Sequence, residues 1–335
     1  MAVLLGALLA GAIWWRPLPA ARVFPAGISC FQASDQFRGL AITGPHLWAG
    51  GRDRLLLVDW RQNLELPLPT GTPALSHVED MATDASGAVW VAHDFGLHVL
   101  EPGGGWRDLT SLLPDPKALA VFPTASGEVW VGTWNGTGCF RQGVWHPFAH
   151  PEKLAHPMVR TILADSAGGW WFGSNAAPDG GLAWFDGTTW QTFSVENGLP
   201  HNNVVAMAED REGAVWVGTG FFDRGGLTRF GPPVAGKRPV RHFSKADGLA
   251  GEKCRSVFQD RDGIWWFGSE FSGLARFDGK DWRRFTEADG LCGNEIMVMR
   301  QDPDGHLWLG TNHGLARLAS PVVRLWQGPA PNQGY

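Results

Sequence analysis

One tyrosine in 335 residues, four scattered cysteines and no run of Lys or Arg are what this sequence is short of. Without a basic run, and with a net charge of -5 and a pI near 6.1, the chain lacks the positive face that nucleic acid requires, and no nucleic-acid partner is expected. The cysteines (Cys30, Cys139, Cys254 and Cys292) form no C-x-x-C pair, which excludes the usual zinc-ribbon and redox spacings. H-E-x-x-H, G-x-S-x-G and phosphate-loop strings are all missing. No catalytic residue, metal or cofactor is therefore assigned. Charged residues are few at 18%, but apolar ones reach 44%, which excludes a disordered chain and allows a large core. No apolar run attains the about 17–25 residues of a membrane helix. The longest, Ala2 to Trp15, suits the apolar part of a secretory signal, about 7–15 residues. Residues 1–20 are accordingly expected to be a signal peptide or membrane anchor, residues 21–35 a linker or edge segment, and residues 327–335 a tail. The protein is expected to be exported, periplasmic or extracellular, with that segment retained as an anchor or removed.

Against these shortages stand 19 Trp and 45 Gly. They recur together: Trp130-Val131-Gly132-Thr133, Trp171-Phe172-Gly173-Ser174, Trp216-Val217-Gly218-Thr219, Trp266-Phe267-Gly268-Ser269 and Trp308-Leu309-Gly310-Thr311, with weaker copies at Trp48 and Trp90. Steps of 42, 40, 41, 45, 50 and 42 residues between these Trp give seven units of the length of a four-stranded propeller blade. Each unit reads as an apolar strand, an Asp-x-x-Gly turn such as Asp260-Arg261-Asp262-Gly263, the Trp strand, a third strand such as Gly273-Leu274-Ala275-Arg276-Phe277, and a fourth such as Trp282-Arg283-Arg284-Phe285. The fold expected is all-β, a seven-bladed β-propeller of four-stranded antiparallel blades over residues 36–326. Val323-Arg324-Leu325-Trp326 is read as the last blade's fourth strand, with the ring closing by blade packing and Ala21 to Phe31 along an edge. The repeated Trp are read as filler between wedge-shaped sheets. Cys254 and Cys292, each near the start of an innermost strand in neighbouring units, are the pair whose spacing allows a disulfide; Cys139 reads as a packed small hydrophobe.

Strand direction gathers the blade-to-blade loops and the loops between second and third strands on one face, leaving the Asp-x-x-Gly hairpins on the other. The first face carries the candidate ligand-binding residues. The inter-blade loops supply His201, Asn203, Glu252, Lys253, Asn294 and Glu295; the second loops supply Arg224, Glu270 and His313; Arg160 and Arg255 lie one step deeper in the axial channel. As a cationic floor the two arginines favour an anionic group on a small-molecule or peptide ligand. In that role, changing either to Ala should weaken binding with little change in melting temperature. The competing reading is an Arg–Glu network, with Glu79, that plugs a structural pore.

The hairpin Asp-x-x-Gly, the Trp string, Gly-Leu-x-Arg-Phe, and the closing elements Asn197-Gly198-Leu199, Asp247-Gly248-Leu249 and Asp289-Gly290-Leu291 together resemble the two-component regulator propeller repeat. The resemblance covers about residues 36 to 326. It implies an exported sensing region of the kind found in bacterial hybrid sensor kinases. Since the chain holds one propeller and no kinase, it implies recognition alone, with a membrane signalling partner on another chain. The expected function is thus an exported ligand- or peptide-binding sensor propeller. A protein-interaction scaffold is one alternative. A metal-dependent lyase of the streptogramin-lyase propeller type is another, and it needs His313 to meet Glu270 or Glu295 across neighbouring blades.

Overall fold

The computed structural model describes residues 27–32, 35–234 and 237–320, with the backbone pairing of residues 16–17 and 22–23. Seven antiparallel sheets stand around an axis, five of them running outward wholly in chain order. The fifth blade shows the pattern: Val204–Glu209 innermost, then Val215–Phe221, Arg224–Phe230 and Val240–Phe243 at the rim. Among the described residues helix is confined to three short 3-10 turns and Ser320. The expected architecture is what is observed.

Four local devices explain why the motif recurs. The hairpin Asp holds its own turn and the Trp beyond it. In five blades one carboxylate oxygen accepts an indole N–H at 2.7–3.0 Å (Asp84–Trp90, Asp165–Trp171, Asp210–Trp216, Asp260–Trp266, Asp302–Trp308). The other oxygen accepts backbone N–H groups of the turn. Each buried donor is thereby satisfied and each hairpin pinned to its sheet. In the third blade Thr124 takes the Asp position and Trp130 donates instead to Glu128, at 3.3 Å.

The Gly of the Trp string lies under the next blade. A Cβ at Gly132, Gly218, Gly268 or Gly310 would stand 2.3–2.6 Å from the carbonyl oxygen of Val159, Cys254, Ile296 or Phe37 respectively. Close approach of one sheet's backbone to the next is what requires glycine there. The following hydroxyl then closes the loop to the third strand: Thr133, Thr219, Ser269 and Thr311 donate to the carbonyls of Gly136, Gly226, Gly273 and Gly314. Finally, the closing element is a capped turn. The N–H groups of Ser194, Ser244 and Thr286 donate to the side chains of Asn197, Asp247 and Asp289 at 2.7–2.8 Å, and Leu199, Leu249 and Leu291 are buried behind it.

The core is correspondingly a set of clusters between blades. Trp216 packs with Phe243, Cys254, Trp265 and Phe267, and Trp171 with Trp184, Val204 and Phe230. The filler role read for the repeated Trp is the one they take.

Ring closure differs from the expectation. Ile28–Gln32 forms the fourth strand of the last blade, antiparallel to Gly314–Leu318 from Ile28 opposite Leu318 to Gln32 opposite Gly314. The alternation Ile28, Cys30 against Ser29, Phe31 gives a strand with both faces largely buried, so this segment closes the ring by hydrogen bonding rather than by packing alone. Val323–Trp326, the segment read for that place, lies outside the described residues. Two sheets also gain a fifth, two-residue strand at the rim, Arg16–Pro17 in the first blade and Arg22–Val23 in the last.

The disulfide joins Cys30 to Cys292, 262 residues apart, and not Cys254 to Cys292. The reason is facing direction. Cys254 is packed between blades five and six, where burial pushes its thiol pKa up, while Cys292 lies with Cys30 in the cluster between blades six and seven. Cys139 is buried and free, as expected.

Candidate functional site

Six of the seven innermost strands carry a bulge at their start, with register shifts at Phe37/Gly39, Val78/Asp80, Ala118/Ala120, Val204/Ala206, Cys254/Ser256 and Ile296/Val298. A bulge leaves one residue out of the ladder and re-aims its side chain. Here the bulged residue lines the axial channel: Arg38, Glu79, Leu119, Val205, Arg255 and Met297, with Arg160 at the same level in the fourth blade. One residue per blade makes a seven-membered ring around a cavity of about 260 Å3.

Charge in that ring is paired. Arg38 bonds Glu79 at 2.8 Å, and Arg160 reaches the other Glu79 oxygen at 3.4 Å while donating to the Leu119 carbonyl. Arg255 bonds Glu270 at 3.1 Å and Glu295 at 3.2 Å; Lys253 shares Glu270 at 2.9 Å. Lys117 bonds Asp94 at 3.0 Å and lies 4.7 Å above the Trp134 ring. Burial lowers the pKa values of Arg255 and Lys253, and their carboxylate partners oppose that shift. Deeper in the channel, Asp80 and Arg300 approach to 3.9 Å. Burial raises the Asp80 carboxyl against the pull of Arg300.

This pairing changes one expectation. Arg160 and Arg255 are network members tied to partly buried carboxylates, so replacing either one costs stability as well as any contact to a ligand. Glu270 and Glu295, the carboxylates considered for a metal, face Lys253 and Arg255, while His313 is exposed on its loop with its backbone N–H on Thr311.

Beside the channel runs a second cavity of about 750 Å3 over blades three to five, sharing Trp134, Asn175, Asn203 and Phe221 with the first. Of the residues proposed from sequence, Arg160, Asn203, Lys253 and Arg255 line the channel mouth, and His201 joins Asn203 in the groove. Glu270 and Glu295 serve as ion-pair partners. Asn294 has a structural task, accepting the N–H of Glu287 at 3.0 Å. Arg224 is exposed and close enough to lower the His201 pKa, after burial and Lys253. Glu252 and His313 line neither cavity.

Sequence reasoning missed Arg38, Trp134, Asn175 and Phe221. Arg38 was findable: the channel residue stands eleven places before the repeated Trp in blades two to seven, and ten places before Trp48 in the first. Four exposed aromatics on second-to-third-strand loops, Phe95, Trp134, Phe222 and Phe271, also ring this face.

One further group stands in the second blade, where His93 ends the second strand and His98 lies in the third. The Phe95 N–H donates to His93 Nδ1 at 3.3 Å, which leaves the proton on Nε2, 3.0 Å from His98 Nδ1. Burial and the neighbouring His98 lower the His93 pKa to about 4. A histidine held neutral in the fold but titrating near 6.5 when unfolded contributes stability that is complete above about pH 6.5. That contribution is lost as the pH falls to about 4, by up to about 3 kcal/mol. The melting midpoint of the wild type should therefore fall over that interval more steeply than that of His93→Gln; parallel pH profiles would refute the assignment.

No curated protein matches this sequence. Residues 198–221 and 290–313 match the two component regulator propeller family. Among solved structures, an inactive variant of virginiamycin B lyase from Staphylococcus aureus with quinupristin superposes with a TM-score of 0.66 at 12% identity, over 87% of this chain and 98% of that one. The extracellular domain of the putative one component system BT4673 from B. thetaiotaomicron gives 0.56 at 17%, over 93% and 52%. PorZ, a surface component of the type-IX secretion system of Porphyromonas gingivalis, gives 0.62 at 16%, over 84% and 46%. The chain thus spans about half the length of the last two, and at these identities the likeness is one of fold. Fold and repeat agree: the chain is a seven-bladed propeller, and two of its segments match the two component regulator propeller model.

Proposed function

We propose that this propeller is an exported recognition module that binds a small molecule or peptide at the channel mouth on its loop-rich face and passes the event to a membrane partner. The observation that carries the reading is the inequality of the two faces. One is built of hairpins that are near copies, Asp210-Arg211-Glu212-Gly213, Asp260-Arg261-Asp262-Gly263 and Asp302-Pro303-Asp304-Gly305. On the other, loops of differing sequence surround two adjoining cavities and the exposed aromatics. Aromatic side chains around a concave, partly charged site are the usual composition of a recognition surface.

Two further points support export. The Cys30–Cys292 bond suits an oxidising compartment, and a structurally similar domain from B. thetaiotaomicron is extracellular. An anionic ligand group has to compete with Glu79, Glu270 and Glu295 for the arginines.

The test is native mass spectrometry of the chain recovered from its producing cells. The wild type and the far-face variant Glu212→Ala/Asp304→Ala should carry a bound species that Val205→Trp, which fills the channel mouth, loses. Retention by Val205→Trp with loss in the far-face variant would sink the site. Export is checked by thiol alkylation after denaturation in the same cells. Two labelled cysteines, Cys139 and Cys254, are expected; four on the full-length chain would mean a reducing compartment.

A further inference from the structure

We infer that the groove beside the channel is a peptide site: it takes an extended, uncharged peptide segment with apolar side chains, whose backbone is read by the side-chain amides of Asn175 and Asn203. The inference rests on the reading of this face as the recognition surface and names what that surface accepts.

Three observations carry it. The groove has no Asp, Glu, Lys or Arg in its lining, whereas the adjoining channel holds five cations. A charged ligand would lose its hydration there and meet no counter-charge. Its walls are apolar, from Trp134, Met158, Pro178, Val195 and Phe221, and about 750 Å3 lies within the range of about 300–1,000 Å3 typical of sites for compact ligands.

The third observation concerns hydrogen bonds. Asn203 is 4% exposed, and its Oδ1, like that of Asn175, is buried without a partner. Leaving such an acceptor unmade is costly, and native proteins rarely do so without a use for it. A primary amide offers an acceptor and donors side by side, the complement of a peptide unit's N–H and C=O, whichever way the amide is turned. The third asparagine of the groove is a contrast: Asn202 spends its amide internally, accepting from the Val195 N–H at 2.8 Å and donating to the Pro178 carbonyl at 2.7 Å. His201 adds a donor, since its Nδ1 accepts the Asn203 N–H at 2.9 Å and the ring proton is left on Nε2. Apolar walls with paired amides suit a peptide better than a sugar, whose many hydroxyls need a correspondingly polar lining.

The probes are tripeptides of Leu, Phe and Val, acetylated and amidated so that no terminal charge remains. The same peptides with a central Asp or Lys, and maltotriose, serve as comparisons. Binding to the full chain is measured by calorimetry. Neutral apolar tripeptides should bind, Asn203→Ala and Asn175→Ala should each weaken them about tenfold, a loss on the scale of one or two hydrogen bonds, and the charged versions should bind at least tenfold more weakly. Because replacing the buried Asn203 also perturbs folding, Val195→Asp, on a half-exposed wall residue, provides a second readout by abolishing binding without disturbing the core. Binding of no tripeptide, or binding indifferent to all three variants, overturns the inference. Preference for maltotriose or for a charged peptide, with sensitivity to the same variants, also overturns it, while leaving the face as a recognition surface. Loss of the recognition reading is seen separately, in the Val205→Trp comparison.

Discussion

Replacing Trp216 by Ala is expected to lower the free energy of unfolding by about 3–5 kcal/mol, the range for deleting a buried large aromatic. Its ring lies 4.8 Å from Trp265 of the next blade and 5.3 Å from Phe243. Its N–H meets Asp210 at 3.0 Å. Two losses are therefore combined, inter-blade packing and a buried hydrogen bond. Trp216→Phe separates them: most of the apolar area stays, the Asp210 oxygen loses its indole donor, and a smaller cost of about 1–3 kcal/mol remains. Denaturant unfolding followed by far-UV circular dichroism measures both, since 19 Trp make fluorescence hard to assign. His313→Ala, on an exposed loop, should stay within about 0.5 kcal/mol of the wild type. If Trp216→Ala and His313→Ala unfold alike, the repeated Trp do not hold the blades together.

Arg255→Ala is expected to cost about 3–5 kcal/mol, because it strands Glu295 and leaves Glu270 to Lys253 alone in a partly desolvated ring. A packing loss alone would not respond to a second change in a carboxylate. Here, removing the charge left behind should recover much of the loss: Arg255→Met combined with Glu295→Met should be markedly more stable than Arg255→Met by itself. Failure of the second substitution to restore stability would show that Arg255 acts through something other than this pair. The result also bears on binding experiments, since a weakened ligand affinity in Arg255→Ala has to be separated from a loosened channel.

Blade number was legible because the marks that reveal it have a task in most units. The Asp–indole bond, the Gly beneath the neighbouring backbone and the hydroxyl that closes the loop each tie one blade to itself or to the next, so their spacing could not drift. The closing strand was illegible for the converse reason. Ile28–Gln32 is an outer strand, it pairs through its backbone, and it carries none of those marks. Arg38 escaped because the first blade's hairpin, Thr43-Gly44-Pro45-His46, is one residue shorter and lacks the Asp. Asn175 escaped because what sets it apart is an unpartnered oxygen, a property of its surroundings and not of its neighbours in sequence. The arginines were visible as channel residues; that Glu79, Glu270 and Glu295 already hold them depends on contacts made in space, Arg160 of blade four with blade two and Arg255 of blade six with blade seven.

The strand that completes the last sheet comes from just ahead of the first blade, so a segment that leaves the ribosome or translocon before the blades must wait for the last of them. Six sheets can assemble in order behind it, each with its four main strands from consecutive residues, while Ile28–Gln32 remains an unpaired strand and blade seven an open edge. Only when Leu318 has emerged can the two meet, and a contact between residues almost 300 positions apart is among the slowest that a chain makes. A chain halted late in synthesis or secretion would therefore display two complementary sticky edges. Those edges could join to those of another such chain as readily as to each other.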